Sequence, residues 1–331
     1  MPVFSHQKNE KKHIGWYRDG KSISYFSNGI HKNENSTKSF YTLTFTLEFE
    51  YSNDTMYIAY AYPYTYSDLS DVLTKIETDE KKSEFCIRKT LCRTVAGNKC
   101  EYLVITAKDK GIDLAQRKGV VLSARVHPGE TVGSWMMQGI LDFLTDVEDK
   151  EARMLRENFV FKVIPMLNPD GVINGNYRCS LAGCDLNRRW KNPSLTVHPT
   201  IFHAKQMTLN THVERGLALF CDLHGHSKKK DVFIYGCHEE QEPAKTRIFP
   251  LILSKICPLF SFEKSRFGVQ KSKERTSRIT LWRETGVPNI FTMEASFCGC
   301  ERGEFKGYHF TCAQLMQIGK DLCRTLIPAS T

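Results

Sequence analysis

His127 and Glu130 close the segment Gly119 to Glu130 (GVVLSARVHPGE), which begins as a nearly continuous apolar run. Such a run is the pattern of a strand buried on both faces of a sheet. Pro128 and Gly129 turn the chain at its end, so an imidazole and a carboxylate three residues apart can both reach one zinc ion. Spacing of this kind also arises by chance in long chains, and a third ligand is what gives it meaning. Leu217 to Asp222 is another buried-type strand, and it runs straight into Leu223, His224, Gly225, His226 and Ser227. Two ligands close in sequence and a distant third, each at a strand end, form the layout of a catalytic zinc site with an open position.

Further chemistry lies beside other strand ends. Glu294 ends the apolar stretch Ile290 to Met293, where an isolated carboxylate is costly unless paired or functional. Next to a metal-activated water it would serve as general base. Asn168 to Gly171 follows a strand ending at Leu167 and reads by itself as a turn. Arg178, Asn187, Arg188 and Arg189 then bring guanidinium forks and an amide into one loop, a combination that can clamp a carboxylate in bidentate fashion.

The elements that must position these residues alternate along the chain. Ser67 caps a helix with Leu69, Val72, Leu73 and Ile76 on one face. Strands are expected at Phe85 to Thr94, Tyr102 to Thr106, Gly119 to His127, Phe159 to Leu167, Leu217 to Asp222, near Val232, and at Asn289 to Ala295. Helices are expected around Trp135 to Phe143, from about Ala244 to Lys255, and from about Thr311 to Leu326. This interleaving means an α/β sheet covered on both faces by residues 67–331. Ahead of it, Leu43 to Phe49 and Met56 to Tyr60 alternate as half-buried strands, and the turn at Ser52 to Asp54 suggests that they pair as a hairpin. Residues 1–35 are polar and are expected to lack regular structure.

Bulk properties narrow the classes. The 331 residues are 41% hydrophobic and 25% charged, ordinary for a globular protein. No apolar run approaches a membrane span, and the polar N-terminus does not read as a signal peptide. Twelve cysteines scattered through strand and helix patterns suit reduced thiols. A formal net charge of +9, densest at Lys228 to Lys230, favours an acidic partner. No nucleic-acid motif accompanies the charge, so an acidic polypeptide is preferred over nucleic acid.

Taken together the segments HPGET (127–131), NPDGV (168–172), GNYRCSLAGCDLNR (175–188), CDLHGHS (221–227), FIYGC (233–237) and TMEASFCG (292–299) resemble the M14 zinc carboxypeptidases. Within that class they are similar to the cytosolic carboxypeptidases, the tubulin deglutamylase group. The resemblance spans nearly all of residues 60–326. It implies a mixed sheet flanked by helices, with residues 36–66 as the remnant of an antiparallel β-sandwich domain. It further implies one zinc ion per chain held by His127, Glu130 and His224, Glu294 as general base, and Arg178 on the oxyanion. Asn187 and Arg188 would take the substrate's terminal carboxylate. The implied activity is removal of C-terminal glutamates from acidic or polyglutamylated tails such as those of tubulin. The implied place is the cytoplasm, at microtubules, centrioles or cilia.

Two departures qualify the resemblance. The group's segment of the form KEGTGR, whose arginine meets the acidic side chain of the residue removed, reads KERTSR here (273–278). Arg278 is kept, while Arg275 and Ser277 replace glycines. The family's general-acid tyrosine also has no match between Tyr235 and Tyr308. Another terminal-residue preference, or an inactive tail-binding relative, therefore stands beside deglutamylation as a reading.

Overall fold

The computed structural model describes residues 2–6, 15–31, 33, 36–108 and 110–327. The chain divides into two units, Met1–Pro63 and Tyr64–Thr331.

The first unit is entirely strand and turn. Strands β1 (Val3–His6), β2 (Tyr17–Arg18), β3 (Lys21–His31), β4 (Ser39–Thr46) and β5 (Met56–Ala59) follow in order. They form an antiparallel sheet β2-β1-β5 and a separate ribbon of β3 with β4. Two expectations are corrected here. Residues 1–35 carry three strands, apart from residues 1, 7–14, 32, 34 and 35, which lie outside the described ones. Nor do the two expected strands pair as a hairpin: β4 joins β3, and β5 joins β1. Polarity misled in the first case because β3 is exposed along most of its length. An exposed ribbon depends on β-forming residues and cross-strand pairs such as Tyr25 stacked on Tyr41, rather than on an apolar face. In the second case the true partners lay in that polar stretch. Val3 and Phe4 are fully buried, and Phe4 meets Phe45 edge to face at 5.9 Å.

The second unit is built on one seven-stranded sheet. Its strands are β6 (Cys86–Arg93), β7 (Lys99–Ile105), β8 (Lys118–Ala124), β9 (Phe159–Ile164), β10 (Leu217–His226), β11 (Val232–Tyr235) and β12 (Ile290–Ser296). Spatial order is β11-β12-β10-β8-β9-β7-β6. The central four run parallel, and β11, β7 and β6 are antiparallel to their neighbours. Burial on both faces explains the continuous apolar runs of β8 and β10, in which every residue of Gly119–Ala124 and Leu219–His224 is buried.

Helices cover the sheet. They are α1 (Tyr66–Thr78), α2 (Glu80–Ser83), α3 (Thr131–Leu144), α4 (Lys150–Asn158), α5 (Pro169–Ile173), α6 (Pro199–Arg215), α7 (Lys245–Ile256), α8 (Ser277–Thr285) and α9 (Cys312–Arg324). The N-cap of α1 is Thr65, in a capping box with Asp68, rather than Ser67. The apolar stripe of α3 packs between the sheet and α9, joining Met136, Ile140 and Leu144 to Leu315, Ile318 and Leu322 in one core. Burying each such side chain stabilises the unit by about 1.5–3 kcal/mol. A second core on the other face gathers Val121, Ile164, Trp190, Ile201 and Phe220. β8 leads through α3 and α4 to β9 on one side, whereas β10 lies on the other. That reversal of order opens a crevice at the carboxyl ends of β8 and β10, where open α/β sheets bind ligands.

Candidate active site

Three strand ends meet at the crevice. β8 ends at Ala124, and Arg125 follows with φ of 60°, a strained conformation for a residue with a side chain. Its guanidinium holds the turn from inside, donating to the Pro128 carbonyl at 2.8 Å and to the Ser134 hydroxyl at 2.7 Å. His127 and Glu130 are thereby fixed on either side of the turn, with Glu130 immediately before the first turn of α3. A helix N-terminus favours a carboxylate there. Glu130 also accepts from the backbone N–H of Gly225 at 3.1 Å.

His224 projects from β10 into the same space. One ligand atom from each of His127, Glu130 and His224 lies within 4.8 Å of the others, and all three residues are enclosed. Each imidazole is anchored through its far nitrogen: His127 Nε2 to Asp185 Oδ1 at 3.0 Å, and His224 Nε2 to Asp222 Oδ2 at 2.8 Å. Such carboxylates fix the tautomer with hydrogen on Nε2 and leave the Nδ1 lone pair for a metal. The two Nδ1 atoms converge on opposite oxygens of Glu130, at 2.8 and 2.9 Å. His127 Nδ1 is buried and makes no properly directed hydrogen bond despite that short distance. A buried lone pair aimed at a carboxylate, with no proton well placed between them, fits a cation. The donor set of two imidazoles and one carboxylate suits zinc.

Charge in the site follows from this packing. Burial would raise the Glu130 carboxyl, but His224 and His127 outweigh it and hold the group well below the usual range. Asp185 is likewise held low, by His127 and by the guanidinium groups of Arg178 and Arg188 against its burial. His224 is driven up by Asp222 and Glu130 despite burial.

Glu294 sits on β12 directly beside His224 in the parallel register, on the same face of the sheet. It is half-buried and borders the crevice. Desolvation dominates, partly offset by His224 and reinforced by Glu130, and pushes its carboxyl up to about 7. Groups with pKa values near neutrality are the ones that exchange protons efficiently at physiological pH.

All eight side chains singled out from the sequence border one cleft of about 650 Å³: His127, Glu130, His224, Glu294, Arg178, Asn187, Arg188 and Arg278. Arg178 donates twice to Asp185 Oδ2, at 3.0 and 2.7 Å, and its Nη1 stands 3.7 Å from Glu130 Oε1. Asn187 is buried, with its amide nitrogen 3.5 Å from His224 Nε2. Arg188 is half-buried beside it and donates to the Asn187 carbonyl at 3.0 Å.

Arg278 differs from its expected setting. It lies not in a loop but in the first turn of α8, and it is buried. Its Nη1 donates to the Gly236 carbonyl and reaches Cys237 Sγ at 3.3 Å. Arg275 is exposed and takes no part in this cleft, lining a separate depression with Arg188, Arg189, Lys191 and Asn192.

Sequence reasoning gave no role to several residues found here. Asp185 and Asp222 are the anchors of the two histidines. A signal for Asp222 was available, since a residue two before His224 on a strand shares its face. Tyr177, Lys229, Tyr235, Arg266, Gln270 and Lys273 also line the cleft. Tyr235 brings in a phenol raised by burial and by the charge of Glu294. His226 also borders the cleft, and its Nδ1 accepts the backbone N–H groups of Lys228 and Lys229 at 3.2 and 2.9 Å.

Residues 73–238 match the family model described as zinc carboxypeptidase. Over 98% of its length the chain is 45% identical to cytosolic carboxypeptidase 3 of Mus musculus and 46% identical to cytosolic carboxypeptidase 2 of Xenopus tropicalis. It spans 33% and 34% of those two proteins. Cytosolic carboxypeptidase 1 of Homo sapiens is 42% identical over 94% of the chain, which spans 28% of that protein. Among solved structures, the fold is similar to a metallo-carboxypeptidase from Burkholderia cenocepacia, with TM-score 0.78 and 23% identity, covering 98% of this chain and 79% of that one. A metallo-carboxypeptidase from Pseudomonas aeruginosa superposes with the same TM-score, identity and coverage. No helix among the described residues is long and apolar enough to cross a membrane.

Proposed function

Because the chain belongs to the zinc carboxypeptidase family, we propose that it removes C-terminal glutamates from acidic or polyglutamylated protein tails, such as those of tubulin, in the cytoplasm. The observation that carries the reading is the placement of Glu294. A carboxylate tuned to about 7 stands beside a His-Glu-His cluster, in a cleft walled by six lysine and arginine side chains.

His127, Glu130 and His224 would hold zinc, which when bound supplies a Lewis acid for the scissile carbonyl and lowers the pKa of water at the site. Asn187 and Arg188 bind the terminal carboxylate of the peptide and set its last amide against Glu294. The Glu294 carboxylate takes a proton from the attacking water as the C–O bond forms. It returns that proton to the departing amine as the C–N bond breaks. Arg178, already oriented by Asp185, places a guanidinium where negative charge develops on the carbonyl oxygen. Arg278 with Lys229, Arg266 and Lys273 gives the cleft a positive wall for acidic side chains.

Incubating the protein with a synthetic polyglutamate-tailed peptide, with and without a chelator, and reading products by mass tests this. Stepwise loss of single glutamates that the chelator stops is the expected result. A carboxypeptidase with another terminal preference is favoured by one observation. The Arg278 guanidinium is already engaged by Gly236 and Cys237. Faster release of a neutral terminal residue than of glutamate would decide for that reading.

A further inference from the structure

Ser277, the first residue of α8, is fully buried and touches two parts of the active site at once. Its backbone N–H donates to Asn187 Oδ1 at 3.0 Å. Its hydroxyl donates to Asp222 Oδ2 at 3.3 Å, the same oxygen that takes His224 Nε2–H at 2.8 Å. The other oxygen of Asp222 takes the hydroxyl of Ser123, on the neighbouring strand, at 2.8 Å. Asp222 is completely enclosed, and an ionised carboxylate there can only accept hydrogen bonds. Ser123, Ser277 and His224 supply three donors. The two serines thus hold the carboxylate by both of its oxygens, one of which holds the imidazole.

We infer that Ser277 is a positioning residue that ties the first turn of α8 to the metal centre, steadying His224 through Asp222 with its hydroxyl and the Asn187 amide with its N–H. The inference rests on the proposed role of His224 as a metal ligand. Its two arms are chemically separable. Ser277→Ala deletes the hydroxyl arm and keeps the N–H arm, so it should loosen the metal ligand while leaving the substrate amide in place. Ser277→Thr keeps both. A residue that merely filled space would instead affect metal, substrate and stability together.

The experiment measures zinc affinity of the full chain by chelator competition, for wild type, Ser277→Ala and Ser277→Thr. Binding of a glutamate-ended peptide to the zinc-saturated proteins is measured alongside. Partners that orient a metal-ligating histidine typically contribute 10–100-fold to affinity, so Ser277→Ala should weaken zinc by about tenfold, and Ser277→Thr should restore most of it. Peptide binding at saturating zinc should stay within about twofold of wild type, since the neutral hydrogen bond to Asn187 survives. Unchanged zinc affinity in Ser277→Ala overturns the inference. So does a loss that Ser277→Thr fails to restore and that is matched by an equal loss of peptide binding and of Tm. Because zinc affinity is read without peptide, failure of wild type to bind the glutamate peptide would count against the proposed substrate and leave the zinc comparison among the three proteins intact. Failure of wild type to take up zinc would remove the metal assignment, and this inference with it.

Discussion

Around His127 and His224 the polar groups other than His127 Nδ1 find partners within the protein: Asp185, Asp222, Glu130, Ser123 and the Gly225 N–H surround the ligands. The opposite wall is arranged otherwise. Among the described residues Lys229, Arg266, Lys273 and Arg278 have no carboxylate within ion-pair distance. Lys229 lies 4.7 Å from the Phe233 ring, and Arg278 rests on a carbonyl and a sulfur. Burial and the nearby Arg188 and Arg178 charges lower the Lys273 ammonium. The metal end is completed by the fold, so its geometry is set before anything binds. The wall carries uncompensated charge, which an acidic ligand would neutralise. Substitutions at the first end should therefore act on chemistry regardless of substrate, and those at the second should act on selection.

The hardest break is at the ligands themselves. His127→Ala or His224→Ala should abolish zinc binding and turnover together, because two remaining ligands do not hold the ion in a catalytic geometry. Metal content and peptide turnover, measured on the same preparation, check this; full activity in either variant removes the assignment. Glu294→Gln keeps the shape but cannot accept a proton. Zinc should stay bound while kcat falls by about 10²–10⁴-fold. Near-normal turnover would place the base elsewhere.

The pH profile sharpens the same point. Glu294 acts as its carboxylate, so protonation on the acid side should lower kcat/KM about tenfold per pH unit below its pKa. Its carboxyl is pushed up to about 7 without a metal, and a bound cation favours the charged form. The acid limb of the zinc-loaded enzyme should therefore fall at or below neutrality, and it should vanish in Glu294→Gln. An unchanged limb in that variant assigns it to another group.

At the wall the effects should be smaller and should depend on the substrate. If Arg278 pairs with the terminal glutamate as proposed, its removal takes away one partner of a desolvated charge pair and costs at least about 2 kcal/mol, or some thirtyfold in kcat/KM for a glutamate-ended peptide. A leucine-ended peptide should lose far less. If the two fall equally, Arg278 serves as a support for Gly236 and Cys237 rather than as a selector. Arg275→Ala should do least of all, since its exposed side chain lies outside the cleft and surface changes stay within about 0.5 kcal/mol. A glutamate-to-leucine ratio that moves with Arg275 and not with Arg278 would reverse the two assignments.

Much of this arrangement could be read from short stretches of chain. His127 and Glu130 are joined by one turn, His224 and Glu294 sit in apolar runs, and burial on both faces makes such runs legible. Two helices beside the site escaped notice. α6 has a weak apolar stripe, and α8 is buried nearly all round in its first turns, so neither shows the expected period. End signals were present, in Pro199 opening α6 and in Gly216 and Gly286 closing α6 and α8 with φ of 70° and 67°. The polar strand β3 failed for the opposite reason, having no buried face to reveal it.

Which residues could ligate, accept a proton and clamp a carboxylate was legible in the linear order of the chain, because those properties belong to side-chain types and to spacings within one turn or strand. Tertiary structure decided which carboxylate steadies each histidine, where Arg278 points, and that Arg275 and Ser277, two residues apart, part company. Ser123 meets Asp222 across 99 residues and Ser277 reaches it across 55. Contacts at such separations depend on which strands become neighbours and on which way a helix enters the crevice. Those outcomes are set by packing of the whole sheet, and no local pattern encodes them.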